Sequence, residues 1–352
     1  ERFGQIPGLC LASGYTAPRE LTDLTTLPFL YEDMEPFTNR IIYYETSRGC
    51  PYRCSYCLSS IDKKVRLRDI DVVKRELQFF LDQNVKQVKF IDRTFNCDHK
   101  HAMEIWEYIY KHDNGVTNFH FEISADILRE EEIVLLNRFR PGLAQLEIGV
   151  QSTNPETIRA IHRVMDVDKL EKIVAAIHRG QNIHQHLDLI AGLPEDTPEG
   201  FRRTLDKCLS YGADNITVHT LSLKKGSRIL LEGLPIPTAA DVARMLDYAD
   251  PTLRAAGFSP YYLYRQKYMS GSFENVGWCI SGAQGLYNIY IMEELHSILS
   301  LGAGGSTKMV DPVRGRIQRV FHAKYPTEYI QRPEKIAENL SAFRAFHENM
   351  KK

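Results

Sequence analysis

Three cysteines fall in one short loop, Cys50, Cys54 and Cys57 in the run Cys50-Pro51-Tyr52-Arg53-Cys54-Ser55-Tyr56-Cys57, directly after a strand-like segment. Thiolates spaced C-x3-C-x2-C can reach three corners of one cubane [4Fe-4S] cluster, and soft sulfur suits iron in that setting. The fourth iron is then free to chelate a small molecule. A structural zinc site draws on four ligands in paired C-x2-C or H-x3-H spacings, and no second pair follows Cys57 at such a distance. Buried free cysteines or a disulfide would also account for three thiols, yet a loop holding Pro51 and Arg53 is not where core cysteines are usually placed.

Such a loop has to be presented by regular elements. From Arg40 onward the sequence alternates short β-branched runs with amphipathic stretches. Strands are predicted at Ile41–Glu45, Gln87–Ile91, Phe119–Ile123, Gln145–Val150, His186–Ile190 and Asn215–Leu221. Helices are predicted between them, at Asp71–Leu81, His101–Tyr110, Glu130–Asn137, Asp168–His178 and Pro198–Leu209. Repeated strand-then-helix units imply a parallel sheet with right-handed crossovers. Spread over about 180 residues, they fall short of the roughly 250 of a full eight-unit barrel, so an α/β fold with a partial, open (β/α)6 barrel is expected.

In parallel barrels the chemistry sits at the carboxyl ends of the strands. Nearly every predicted exit carries polar residues. The first strand leads through Thr46, Ser47 and Arg48 into the cysteine loop, with Tyr44 just upstream, and the second ends in Asp92-Arg93-Thr94-Phe95-Asn96. Period-two alternation puts Glu122 and Ser124 on one face of the third strand, and Glu147, Gly149 and Gln151 on one face of the fourth. The fifth gives Asp188-Leu189-Ile190-Ala191-Gly192-Leu193-Pro194. Any one of these could be a barrel-filling or capping residue; their recurrence favours a site.

The cysteine loop, with Tyr56 before its third cysteine, resembles that of the radical S-adenosylmethionine (SAM) superfamily. That resemblance implies SAM bound to the open iron, and reductive cleavage to a 5'-deoxyadenosyl radical that takes a hydrogen atom from substrate. Gly149-Val150-Gln151-Ser152, Arg163 beyond it, and Asp188 to Pro194 are similar to segments of oxygen-independent coproporphyrinogen III oxidase and its relatives. By that resemblance Tyr44, Glu122, Gln151, Arg163 and Asp188 contact SAM. Arg163 would pair with the methionyl carboxylate, Asp188 would accept from a ribose hydroxyl, Gly192 would let backbone approach adenine, and Asp92 would face the SAM ammonium.

The two halves of the chain resemble different relatives. Roughly residues 1–190, with Tyr44 to Cys50 and Glu147 to Pro155, resemble radical SAM proteins that carry an upstream cobalamin-binding domain. The remainder, with Asn215 to Leu221, Pro260 to Gln266, Glu274 to Gly277 and Leu301 to Ser306, resembles the coproporphyrinogen dehydrogenase-like branch known as haem Z. The tail therefore implies hydrogen abstraction from a porphyrinogen propionate, with loss of carbon dioxide and formation of a vinyl group. Oxidases of the family carry a further cysteine where this chain has Ser59, and relatives without it include haem-binding chaperones. Two further readings stand beside the oxidase: a cobalamin-associated radical SAM enzyme, and a non-catalytic haem carrier whose axial ligand would be His219 or His296.

Composition bounds the partners. The chain has 352 residues, 43% hydrophobic and 25% charged, ordinary for a globular protein with a sizeable core. Lys plus Arg number 44 against 45 for Asp plus Glu, which recommends no nucleic acid and favours a small-molecule substrate, a porphyrinogen by the resemblance. No apolar stretch of 18 or more residues and no signal-peptide pattern occurs, so a cytoplasmic protein without a membrane span is expected. The chemistry implies a low-potential electron donor such as a flavodoxin or ferredoxin. Glu1 in place of an initiator methionine reads as a fragment or a processed chain. Three regions are expected: a lead-in at 1–38, the core barrel at 39–232 and a substrate-side α+β extension at 233–352. In the last, Thr238 to Ala256 reads as a helix, and Tyr261, Tyr262, Tyr264, Arg265 and Tyr268 as either a wall for a flat anion or a strand packed on the barrel. Gly302 to Ser306, with Lys308 nearby, could form an anion nest; Asp311 to Arg316 reads as a hairpin turn, followed by a terminal helix.

Overall fold

Alternation with period two is plainest at Ala144–Gln151, where Ala144, Leu146, Ile148 and Val150 are buried in the outer core. Glu147, Gly149 and Gln151 turn to the inner face and line a cavity. The computed structural model, which describes residues 5–8, 10, 11, 14–17, 20–61 and 64–350, repeats this arrangement across one sheet. Parallel strands β1 (Ile42–Tyr44), β2 (Gln87–Phe90), β3 (Asn118–Ile123), β4 (Ala144–Gln151), β5 (His184–Ala191) and β6 (Asn215–Thr220) pair in chain order. Beyond β6 the sheet turns antiparallel, running through β8 (Asn275–Cys279) to β7 (Ser259–Tyr264), so that its eight strands stay open. The α/β architecture is thus the expected partial barrel with an antiparallel extension.

The helices are α1 (Ile70–Asp82), α2 (His99–Lys111), α3 (Glu130–Leu136), α4 (Pro155–Ala160), α5 (Val167–His178), α6 (Pro198–Ser210), α7 (Arg228–Glu232), α8 (Ala239–Ala255), α9 (Leu286–Met292), α10 (Pro326–Gln331) and α11 (Pro333–Met350). Polar side chains fix several starts: Asp98 accepts from the His101 amide, Thr197 from the Gly200 amide, and Thr238 forms a capping box with Asp241. Between sheet and helices lies an aromatic layer in which Phe121 stacks 4.5 Å from both Phe90 and Phe95, and Phe95 packs 5.3 Å from Trp106.

The expected boundary at 232 falls at the end of α7, and the elements beyond it up to Cys279 continue the same sheet. Within the expected lead-in, Phe29 and Tyr31 pack their rings 5.5 Å from Phe80 of α1. The tyrosine cluster at 261–264 is strand β7. A hairpin of β9 (Ser306–Asp311) and β10 (Arg316–Phe321) turns where expected. The anion nest is not formed: Gly304 and Gly305 donate their amides to Ala323 and Gly302 carbonyls, and buried Lys308 lies 3.5 Å from Glu294.

A short helix closes the half-barrel. Tyr287 of α9 packs 6.1 Å from Tyr43 of β1 and 6.3 Å from His120 of β3, while Asn288 donates to the Tyr261 hydroxyl of β7 at 3.0 Å. The helix therefore spans the open side between the first and last strands. Among the described residues no helix is long and apolar enough to cross a membrane.

Candidate active site

The cysteine loop is tied down on both flanks. Asp92, just past β2 and fully buried, accepts from the Thr46 hydroxyl and the Ser47 hydroxyl at 2.6 Å each and from the Thr46 amide at 3.0 Å. Burial pushes its carboxyl up to about 6, and the Ser47 and Thr46 bonds pull the other way. Gly49 has φ +104°, and a Cβ there would run into the Lys64 carbonyl, so the turn into Cys50 requires glycine. Further along, the Ser55 amide donates to Ile161 O at 2.9 Å, the Ile229 amide to Ser55 O at 3.1 Å, and the Cys57 amide to Cys54 O at 3.1 Å.

The loop opens onto a cavity of about 200 Å³ at the carboxyl ends of the strands. Cys50, Cys54 and Cys57 line it together with Glu122, Gln151, Arg163 and Asp188, which come from β3, β4, the segment after α4, and β5. Arg163 donates to the Gly149 carbonyl, to Tyr56 Oη at 3.4 Å and to Cys54 Sγ at 3.8 Å. Burial raises the Cys54 thiol and the Arg163 charge draws it down. A second cavity, also near 220 Å³, shares Tyr56, Gln151 and Asp188 with the first and reaches His219, Lys224 and Tyr264 on the β6–β7 side.

These residues fit a cubane cluster with a small polar ligand. No three His, Cys, Asp or Glu side chains among the described residues converge on a single metal ion. A cubane takes one thiolate per corner and so needs no such convergence. The Gln151 Oε1 and Arg163 Nε atoms are buried without a partner, a polar lining waiting for a polar ligand. Gln151 itself has φ +68° at a bulge that breaks the β4–β5 register after Gly149, which re-aims the strand end.

Deeper on the inner face lies a buried ionic group. The Lys89 ammonium of β2 is 3.0 Å from both Glu122 Oε1 and Glu147 Oε2, and His120 Nε2 is 2.9 Å from the same Glu147 oxygen. Burial and the Glu147 charge push Glu122 up to about 7. Burial opposes ionisation of Glu147 too, but Lys89 and His120 hold it well below the ordinary range. His120 is held down to about 4 by burial and by Lys89. Asp188 Oδ1 faces His219 Nε2 at 3.2 Å and His186 Nε2 at 3.4 Å.

Of the residues picked from sequence, the three cysteines, Glu122, Gln151, Arg163 and Asp188 meet at one cavity. Tyr44, Asp92 and Gly192 are not among its lining. Tyr44 points to the outer face, where its hydroxyl donates to Glu76 Oε2 at 2.6 Å and its ring packs on Phe80 and Phe90. Asp92 is spent on the Thr46–Ser47 turn. Gly192 has φ +89°, and a Cβ there would meet Val242 of α8 at 3.0 Å, so close packing against α8 accounts for it. Lys89, His120 and His186 were missed; a lysine inside the run Gln87-Val88-Lys89-Phe90, buried throughout, was the available signal. Ser59 also lines the cavity.

Residues 44–208 match the model of the Radical SAM superfamily. The oxygen-independent coproporphyrinogen-III oxidase-like protein HemZ of Bacillus subtilis is 34% identical over 212 residues, 59% of this chain and 42% of that protein. Among solved structures, the Escherichia coli coproporphyrinogen III oxidase HemN, a radical SAM enzyme, superposes with a TM-score of 0.53 at 15% identity, over 84% of this chain and 70% of HemN. The radical SAM methyltransferase TsrM of Kitasatospora setae, solved with cobalamin and a [4Fe-4S] cluster, gives 0.50 at 18% identity, over 69% of this chain and 47% of TsrM. The chain spans less than half the length of the curated relatives it matches.

Proposed function

From the radical SAM domain that residues 44–208 carry, with its [4Fe-4S] cluster and SAM as cofactors, we propose that this protein oxidatively decarboxylates a propionate side chain of a coproporphyrinogen-type substrate. When bound, the reduced cluster would supply the electron for reductive cleavage of SAM and so the means of abstracting a substrate hydrogen. Cys50, Cys54 and Cys57 would hold the cluster. Arg163 stands beside Cys54, where it would pair with the methionyl carboxylate; Glu122 and Asp188 offer acceptors for the ammonium and ribose hydroxyls of SAM. The substrate would lie toward the second cavity, with Lys224 and His219 facing its carboxylates. Loss of a hydrogen atom, carbon dioxide and one electron leaves a vinyl group, so an electron acceptor takes part, besides a low-potential donor such as a flavodoxin or ferredoxin.

The observation that carries this reading is the meeting of three thiols, two guanidinium groups and three carboxylates at one cavity at the strand exits. The similarity to HemZ supports the porphyrinogen substrate. The test is anaerobic: load the cluster, add dithionite and SAM with and without coproporphyrinogen III, and measure 5'-deoxyadenosine and decarboxylated porphyrin. Both products are expected. Deoxyadenosine without a porphyrin product would set aside the substrate and keep the radical chemistry.

Ser59 at the cavity, where related oxidases carry a cysteine, favours a second reading as a haem carrier. Haem binding by cluster-free protein, lost in His219→Ala, is its expected signature; absent haem binding would sink it.

A further inference from the structure

Parallel barrels are usually filled on the inside by branched apolar side chains. Here the inner face carries Lys89, His120, Glu122, Glu147, His186 and Asp188. Lys89 is only 1% exposed and stands in register beside His120. Its ammonium is bonded to Glu122 and to Glu147, and it also lies over the ring of Tyr287, 4.5 Å from the centroid. Glu122 and Glu147 are register partners on β3 and β4, and both line the cavity. His120 is neutral near pH 7, so it gives Glu147 a hydrogen bond and no charge. Two carboxylates at facing register positions in an enclosed place repel, and without a cation one of them takes up a proton.

We propose that Lys89 is a positioning residue for the cavity: by bridging Glu122 and Glu147 it opposes protonation of Glu122 and holds that carboxylate turned toward the cavity, as acceptor for a donor group of SAM. This rests on the reading of the cavity as a SAM site. The groups facing Glu122 are Lys89 and Arg93 from β2 and its exit, His120 on its own strand, Glu147 on β4 and Tyr287 from α9. None but Lys89 bonds both carboxylates.

The experiment is equilibrium dialysis of labelled SAM against cluster-loaded protein at several pH values. Wild type should bind more weakly as pH falls through about 7, where Glu122 takes up its proton. Lys89→Met should bind about fivefold more weakly at pH 7, with that acidic limb moved to higher pH, because removing a cation raises a carboxyl by roughly a unit. Lys89→Arg should stay near wild type, and Glu122→Gln should lose the limb. Lys89→Met/Glu147→Gln, which removes a cation and an anion together, should recover to within about threefold, the repulsion being gone. Wild-type affinity and pH profile in Lys89→Met would overturn the proposal, as would a double variant no better than the single. If Lys89→Met lacks a thermal unfolding transition, the double variant against wild type decides by the same threefold criterion. Wild type that binds no SAM would remove the functional reading itself; wild-type binding with an unaffected Lys89→Met removes this proposal alone.

Discussion

At the scale of single residues, legibility followed distance along the chain. Cys50, Cys54 and Cys57 are close in sequence, so their spacing alone announced their chemistry. Each of Cys50→Ala, Cys54→Ala and Cys57→Ala is expected to lose bound iron and deoxyadenosine formation, whereas Cys208→Ala, buried in the core away from the cavity, should keep its iron; iron and sulfide analysis after anaerobic loading checks both. The meeting of Lys89 with His120 was illegible, because they become neighbours only through the β2–β3 register, which no local pattern reveals. Their pairing has a stability signature. His120 is depressed from 6.5 to about 4, so the unfolded chain takes up its proton first as pH falls. Its contribution is present above pH 6.5 and is lost between there and about pH 4, by up to about 3 kcal/mol. Urea unfolding at pH 7.5 and pH 4.5 should show a smaller drop for His120→Gln than for wild type.

At the scale of elements, all six parallel strands and their long helices were readable from periodicity, with ends within two residues or so. The short helices α4, α7 and α9, of six, five and seven residues, were not, because they fall outside the strand-then-helix alternation that made the equally short α3 readable. Tyr44 and Tyr43 show a subtler failure: adjacent on β1, they point to opposite faces, and the aromatic packing of Tyr44 on Phe80 and Phe90 decides which one goes outward. The β1 exit turn offers a test at this scale. Gly49→Ala places a methyl on the Lys64 carbonyl at a positive φ, so the loop must shift. The expected result is a loss of about 1–3 kcal/mol in urea unfolding together with poor iron retention, since the strain sits next to Cys50.

At the scale of the molecule, residues 233–352, expected as a separate substrate-side region, supply β8, which covers the edge of β6, and β7, which in turn pairs with β8. Asn215, Ile216, Thr217 and Val218 pair with β5 on one side and β8 on the other. A chain cut after Glu232 leaves that edge bare and should aggregate, while one ending after Ala283 should remain monodisperse by size-exclusion chromatography. The deeper dependence is on α9. Its Tyr287 touches β1, β2 and β3, and Asn288 reaches β7, so the seam of the barrel is shut by a helix that is made late. At ribosomal speeds of about 5–20 residues per second, the interval between emergence of the cysteine loop and emergence of this helix is on the order of ten seconds to a minute. During that time the cysteine loop exists in a nascent chain whose first and last strands have not yet been bridged, and iron and sulfide delivered then would meet a sheet whose Lys89 and His120 still lack their cover from Tyr287.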